Sequence, residues 1–155
     1  MSAYYFDSSA LVKYYAQEVG TNWVRGLINA QPANEVFTAL VTGAEIIAAI
    51  KRRERGNTIT ANAAAAVAMT AFRSQFRIRF QALRTNDAVV DLAMDLAGTY
   101  KLRGYDAIQL ASALLIEARL TAQGVGPLTL ISADIELNQA AQAEGLLTDD
   151  PNQHP

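Results

Sequence analysis

Four carboxylates stand at or near the starts of predicted helices, and together they could bind a metal ion. Asp7 ends the short apolar run of residues 3–7, and Asp134 follows the apolar run LTLIS after two small residues. Glu45 lies one turn into the helix predicted after VFTAL, and Asp106 opens the helical run AIQLASALL. Carboxylates gathered at one place raise one another's pKa or recruit a cation. Oxygen donors without His or Cys suit Mg²⁺ or Mn²⁺.

Each of these acids also has a purely structural alternative. Asp7, Asp106 and Asp134 could each accept backbone N–H bonds as helix N-caps. Glu45 is the fourth residue of a T-x-x-E pattern that begins at Thr42, which is the signature of a capping box. Taken one at a time, the capping roles are at least as well supported as metal binding. The metal hypothesis therefore depends on the four acids converging in space.

The elements that must bring them together follow from the hydrophobic pattern. Short apolar runs (residues 3–7, VFTAL, LTLIS and LLT) alternate with longer helical patterns, and RIRFQAL is either a further strand or the end of a helix. This order predicts an α/β fold with a parallel sheet covered by helices on both faces. Ligands in such folds bind beyond the carboxyl ends of the strands, where loops enter the following helices. The four acids are expected at that edge.

Length and composition fit one globular domain. The chain has 155 residues, of which 51% are hydrophobic and 18% charged. A chain of this length buries about two thirds of its unfolded surface. We expect a single domain over residues 1–150 and a flexible tail at residues 151–155. No apolar run reaches about 18 residues and no basic leader precedes an apolar segment, so we expect a cytoplasmic protein.

The residue types exclude several kinds of chemistry. The chain contains no Cys, so disulfides and thiolate metal sites are impossible. Its one histidine, His154, falls in the expected tail, which argues against histidine-based catalysis and against a zinc site of the usual kind. A water molecule activated by a metal ion is then the most economical nucleophile.

Basic residues are concentrated in one part of a chain whose net charge is −2. Residues 51–84 hold eight Lys or Arg and one acid, whereas residues 85–155 hold ten acids and three bases. A local basic segment can contact phosphates. The alternative is a pair of solvated helical faces, which the charge pattern alone favours.

Four segments resemble the PIN-domain family, and within it the VapC-type toxins of bacterial type II toxin–antitoxin modules. They are YYFDSSALVKYY, GAEIIAAIKRR, LRGYDAIQLASALL and LISADIELNQAAQAEGL, of which the first and third are the most specific. They occur in the family's order over residues 4 to about 150. The resemblance implies a three-layer α/β/α sandwich with a short, mostly parallel central sheet. It also implies a metal-dependent endoribonuclease whose acidic pocket binds Mg²⁺ or Mn²⁺.

The resemblance assigns the site residues and the partners as well. The family's acidic positions fall on Asp7, Glu45, Asp106 and, as the more variable fourth member, Asp134. Ser132 matches a position where the family usually has Ser or Thr, and it is expected to support the acids as a hydrogen-bond donor. The implied partners are an RNA substrate, a second copy of the chain in a homodimer, and a VapB-like antitoxin that neutralises the toxin.

In-line attack by water on RNA would leave a 5′-phosphate and a 3′-hydroxyl. Three arginines beyond Glu45, namely Arg52, Arg53 and Arg55, are the candidates for contacts to backbone phosphates. Two departures from the family pattern are a slightly long loop, LTAQGVGP, and an overall charge that is acidic for an RNA-cleaving protein.

Other functions explain the residues less well. A phosphatase that uses a strand-end Asp as nucleophile needs a second acid two residues later, where this chain has Ser9. A response-regulator receiver would need a lysine after a late strand, and LTLISADIEL has none; a nucleotide-binding module would need a glycine-rich loop after the first strand. The non-enzymatic alternative is a catalytically silent PIN-like module that binds only RNA or protein. Calorimetric titration with a divalent ion distinguishes it from an enzyme.

Overall fold

The structure is a computed structural model that describes residues 1–56 and 62–155. Its elements in chain order are β1 (Ala3–Phe6), α1 (Ser8–Tyr15), α2 (Thr21–Ile28), β2 (Glu35–Ala39), α3 (Thr42–Arg55), α4 (Asn62–Arg79), β3 (Gln81–Leu83), α5 (Asp87–Thr99), α6 (Gly104–Ala122), β4 (Leu128–Ile131), α7 (Ile135–Ala143) and β5 (Leu147–Asp149), followed by a 3₁₀ helix (Pro151–Gln153). The pattern TITANAAAAVAMTAFRSQF predicts a helix that begins near Thr60, and this predicted start lies outside the described residues.

The strands form one five-stranded sheet in the order β3-β2-β1-β4-β5, and every neighbouring pair is parallel. In the register of the central strand, Tyr5 lies beside Phe37 of β2 and Phe6 lies beside Ile131 of β4. The ambiguous segment RIRFQAL divides into the end of α4 at Arg79 and the short strand β3. The α/β prediction with a short, mostly parallel sheet is confirmed.

Helices cover both faces of this sheet. Tyr5, Phe37 and Leu130 belong to a hydrophobic cluster with α5, α6 and α7, whereas Phe6 and Ile131 belong to a second cluster with α1 to α4. Neighbouring residues of a strand face opposite sides of the sheet, so Tyr5 and Phe6 enter different clusters. The result is the three-layer α/β/α sandwich that the sequence predicts. Within the described ranges, none of the helices combines the length and the apolar character that crossing a bilayer requires.

The carboxy-terminal residues 151–155, for which the sequence predicts a flexible tail, fold back onto α1 and α2. The nearly buried ammonium of Lys13 donates to the side-chain oxygen of Asn152 at 3.0 Å. The ring of His154 stacks on Trp23 with 4.0 Å between ring centroids. A buried ammonium needs oxygen partners, and this segment supplies one of them. The sequence of residues 151–155 does not indicate this contact, because Lys13 lies far away in the chain.

We expect Gly20→Ala to lower the free energy of unfolding by more than about 1 kcal/mol. Gly20 has φ +84°, and a Cβ there would lie 2.2 Å from the carbonyl oxygen of Pro151. Gly98→Ala is the control, because a Cβ at that helical position meets nothing within 4 Å. It should stabilise the protein by up to about 1 kcal/mol. Chemical denaturation measures both values, and similar effects of the two variants would contradict the docked position of the tail.

Candidate functional site

Asp7 occupies the carboxyl end of the central strand and begins helix α1. Its Oδ1 accepts the N–H of Ala10 at 2.9 Å, which makes it the N-cap of that helix. The side chain is only 3% exposed. Burial raises the pKa of Asp7 to about 6 because the charged carboxylate is taken out of water, and hydrogen bonds from Ser9 and Ser132 limit that rise. One carboxyl group thus serves both as a cap and as a buried acid.

Two serine hydroxyls orient this carboxylate. The hydroxyl of Ser9 lies 2.7 Å from Oδ1 and 2.9 Å from Oδ2 of Asp7, and Ser132 donates to Oδ2 at 2.7 Å. In turn, Ser9 accepts the N–H of Ala133 and Ser132 accepts the N–H of Asp134, at 2.9 and 3.0 Å. The serines therefore tie the end of β1 to the segment after β4. Ser9 was not predicted as a site residue, although its place two residues after Asp7 was a usable signal.

The other three acids lie at the same edge of the sheet. Asp134 is the N-cap of α7, and Glu45 and Asp106 lie in the first turns of α3 and α6. Burial raises the pKa of Asp106, and the carboxylates of Asp134 and Glu45 raise it further. The carboxylate of Asp134 also raises the pKa of Asp7. All four predicted acids are thus within electrostatic reach of at least one other.

The capping alternatives are correct for two of the acids and wrong for the other two. Asp7 and Asp134 both accept backbone N–H groups as N-caps. Helix α3 instead begins after Val41 without a side-chain cap, so Glu45 belongs to no capping box. Asp106 is the third residue of α6 and not its N-cap. Capping therefore does not explain the acid at position 45, whereas the carboxylate of Asp106 still interacts with the backbone N–H of the N-cap residue Arg103.

Arg103 is a cation that sequence reasoning missed at this site. It is the N-cap residue of α6, one turn before Asp106. Its guanidinium and its backbone N–H both lower the pKa of Asp106, against the larger effect of burial. The spacing of three residues before a predicted site acid was the available signal. Arg103 brings a positive charge to the edge of an otherwise acidic site.

A buried network of polar side chains fixes the helices that carry the acids. Gln109 of α6, 1% exposed, accepts a hydrogen bond from Tyr5 of β1 at 2.5 Å. Its amide nitrogen donates to Thr42 of α3 and to Tyr105 of α6, both at 2.9 Å. The network joins β1, α3 and α6, the elements that position three of the four acids. A glutamine within the apolar run AIQLASALL was the only trace of it in the sequence.

The acids fit a divalent ion by their chemistry. Mg²⁺ retains several waters in proteins and is bound through one or two carboxylates together with substrate phosphates. In the described part of the chain, no three His, Cys, Asp or Glu side chains are arranged as a group that could hold a metal ion. One or two direct carboxylates, with the others acting through bound water, are compatible with this arrangement. The types of donor therefore suit Mg²⁺ or Mn²⁺, while the side chains of the described residues do not form a complete set of metal ligands.

The three arginines proposed for phosphate contacts differ in their surroundings. Arg53 forms an ion pair with Glu18 at 2.5 Å and donates to the carbonyl of Ala49 at 3.2 Å. Arg52 and Arg55 are exposed in the last turns of α3. Arg53 thus has a structural role whether or not it meets a phosphate.

We expect Asp7 to make the metal-free protein less stable as the pH rises through about 6. Its folded pKa of about 6 lies above the ordinary value of 3.8, so the native state binds the proton more tightly than the unfolded state. The stabilisation is full below pH ~4 and is lost by pH ~7, and a shift of about two units corresponds to roughly 3 kcal/mol. Asp7→Asn lacks this titration. The wild-type minus variant difference in unfolding free energy, measured in chelator, should fall over that range, and a constant difference would contradict the assignment.

The PIN domain family model matches residues 4–143 of the chain. No curated protein sequence matches it significantly.

Solved structures share the fold over nearly the whole chain. A toxin–antitoxin complex from Klebsiella pneumoniae is 19% identical with a TM-score of 0.61, covering 96% of this chain and 98% of that one. VapC20 from Mycobacterium tuberculosis, a sarcin–ricin loop cleaving toxin, is 14% identical with a TM-score of 0.62, covering 99% and 100%. VapBC2 from Rickettsia felis, bound to a DNA fragment from its promoter, is 12% identical with a TM-score of 0.58, covering 97% and 98%. At these identities the likeness shows a common fold.

Proposed function

Because the chain belongs to the PIN domain family, we propose that it is a metal-dependent endoribonuclease that hydrolyses RNA phosphodiester bonds. The observation that carries this proposal is the gathering of four acids at the carboxyl edge of a parallel sheet, with Asp7 buried among them. Structural neighbours that are toxins, one of them RNA-cleaving, support a biological role as a growth-inhibiting toxin. Neighbours that are toxin–antitoxin complexes support neutralisation by a cognate VapB-like antitoxin.

In this proposal Asp7, Glu45, Asp106 and Asp134 hold Mg²⁺ or Mn²⁺. When bound, such an ion lowers the pKa of a coordinated water and stabilises charge on the departing oxygen. The hydroxyls of Ser9 and Ser132 favour the ionised form of Asp7 and keep its two oxygens in a fixed orientation.

Cations around the acids would position the RNA strand. Arg103, next to Asp106, can meet a phosphate close to the cleaved bond. We propose that the exposed Arg52 and Arg55 contact phosphates further along the strand. Arg53 would contact a phosphate either in addition to its ion pair with Glu18 or in exchange for it. We further propose that the toxin is a homodimer that acts in the cytoplasm, where its RNA substrates are.

Cleavage of RNA by the purified chain tests the enzymatic activity. With Mg²⁺ or Mn²⁺ we expect products that carry a 5′-phosphate and a 3′-hydroxyl, which ligation-based sequencing of the ends identifies. Chelation with EDTA should stop the reaction. Cleavage that continues in EDTA, or products that end in a cyclic phosphate, would contradict the proposed chemistry. An inactive variant purified in parallel controls for contaminating nucleases.

A catalytically silent PIN-like module that binds only RNA or protein is the second candidate. The observation in its favour is that, among the residues with described positions, no three acids form a ready-made metal-binding group. Such a module would bind RNA equally well with and without divalent ions, and it would release no end-labelled products. The toxin role has a separate test, since expression of the chain should arrest growth and co-expression of a cognate VapB-like antitoxin should restore it.

A further inference from the structure

An open pocket at the carboxyl edge of the sheet lies beside the acid site and has no role in the function proposed above. Its volume is about 420 Å³, within the range of small-ligand sites. Its lining residues are Leu40, Val41, Arg84, Thr85 and Asn86. Leu40 directly follows β2 and Arg84 directly follows β3, and these two strands pair in parallel. The pocket therefore lies at the same sheet edge as the acids.

Helix α3 connects this pocket to the acid site. Val41, which lines the pocket, is the residue at which α3 begins, and it has helical backbone angles. Glu45 follows four residues later, one helical turn away. Side chains at positions i and i+4 of a helix lie on the same face. An extended ligand that reaches Glu45 can therefore continue along the face of α3 into the pocket.

The pocket offers unused polar groups. The hydroxyl oxygen of Thr85 is buried and has no hydrogen-bond partner, which is unfavourable for a buried polar atom. The side chain of Arg84 is exposed, and within the described ranges it forms no hydrogen bond or ion pair. Leu40 and Val41 add half-buried aliphatic surface. A ligand with a negative charge, a polar edge and a flat apolar face would satisfy all of these groups.

We propose that the pocket holds one nucleotide of the RNA strand next to the cleaved bond, an inference that rests on the proposed function. Arg84 contacts the phosphate, the Thr85 hydroxyl hydrogen-bonds to a polar atom of that nucleotide, and Leu40 and Val41 contact its base. The free guanidinium and the continuity with the acid site favour RNA over a protein segment. This pocket thereby contributes to the choice of cleavage position.

Binding of a short, fluorescently labelled single-stranded RNA of random sequence tests this pocket. Fluorescence anisotropy is measured in the Asp7→Asn background, so that no RNA is cut. Arg84→Gln should weaken binding about three- to tenfold and reduce the slope of log K against log salt by about 0.7, the value for one phosphate contact to a single strand. The control is Arg79→Gln, an exposed arginine that ends α4 just before β3 begins and so lies at the opposite edge of the sheet. It should leave the slope nearly unchanged.

Thr85→Val separates a binding role from a structural one. The change removes the unpaired hydroxyl and keeps the shape, so the melting temperature should rise while RNA binding weakens about two- to fivefold. Substitution of a residue with only a structural role would not raise the melting temperature while weakening RNA binding. Arg84→Gln and Thr85→Val variants that bind RNA as tightly as their background overturn the proposal. It is equally overturned if these variants lose only antitoxin binding, since the pocket then serves a protein contact.

The wild-type cleavage assay separates this inference from the proposed function. Wild-type protein that fails to cut RNA, while RNA binding still depends on Arg84 and Thr85, refutes the nuclease and supports the pocket. Wild-type protein that cuts RNA while neither variant affects binding refutes the pocket and leaves the nuclease standing. A chain that binds no RNA refutes both.

Discussion

We expect Asp7→Asn to stop RNA cleavage and to make the metal-free protein more stable at neutral pH. Asparagine caps helices about as well as aspartate, so the bond to the N–H of Ala10 can survive. The variant no longer buries a charge, which should raise the free energy of unfolding at pH 7 by up to about 3 kcal/mol. Cleavage should fall by roughly a thousandfold or more, as when a central member of a catalytic group is lost. End-labelled RNA assays and denaturant titrations measure the two effects.

Asp91→Asn is the matched control. Asp91 is exposed on α5 and lies outside the acid site. The same chemical change there should leave the cleavage rate unchanged and should alter the free energy of unfolding by no more than about 0.5 kcal/mol. If Asp7→Asn cleaves RNA at the wild-type rate, Asp7 is only a helix cap and the proposed mechanism is wrong. Loss of cleavage together with loss of stability would also contradict it, because misfolding would then explain the inactivity.

Divalent ions should stabilise the wild-type chain and leave Asp7→Asn nearly unaffected. An ion that binds only the native state, present at a concentration about 100 times its dissociation constant, adds about 2.7 kcal/mol to the free energy of unfolding. The gain should grow as the pH rises from about 5 to 7, because the ion competes with the proton that Asp7 retains up to about pH 6. Thermal unfolding and calorimetric titration with Mg²⁺ and Mn²⁺ measure this directly.

The comparison with Asp91→Asn again separates the acid site from general charge effects. That variant should show the full stabilisation by Mg²⁺ and Mn²⁺. If the wild type releases no heat and gains no stability at millimolar concentrations of either ion, the chain is the catalytically silent module. Equal stabilisation of all three proteins would place the ion somewhere other than the acid site.

Much of the framework could be predicted from the sequence because it depends on local patterns. Apolar runs of strand length between helical patterns gave the parallel sheet, and the position of Asp7 after β1 gave its place at the carboxyl edge. Asn86 directly precedes the helical run DAVVDLAMDLAGTYKL, a position typical of an N-cap, and its side chain does accept the N–H of Val89. Periodicity and capping involve residues a few positions apart, so a single sequence contains the information they need.

The tertiary structure alone decided how the site is held together. Ser132 and Asp7 are 125 positions apart and Tyr5 and Gln109 are 104 apart, yet both pairs are hydrogen-bonded. The pKa of Asp7 likewise depends on how much water the packed helices remove from it. No local pattern encodes these contacts, because they form only when strands and helices distant in the chain pack together. The sequence determined which acids reach the edge of the sheet, and packing determined how they are oriented and charged there.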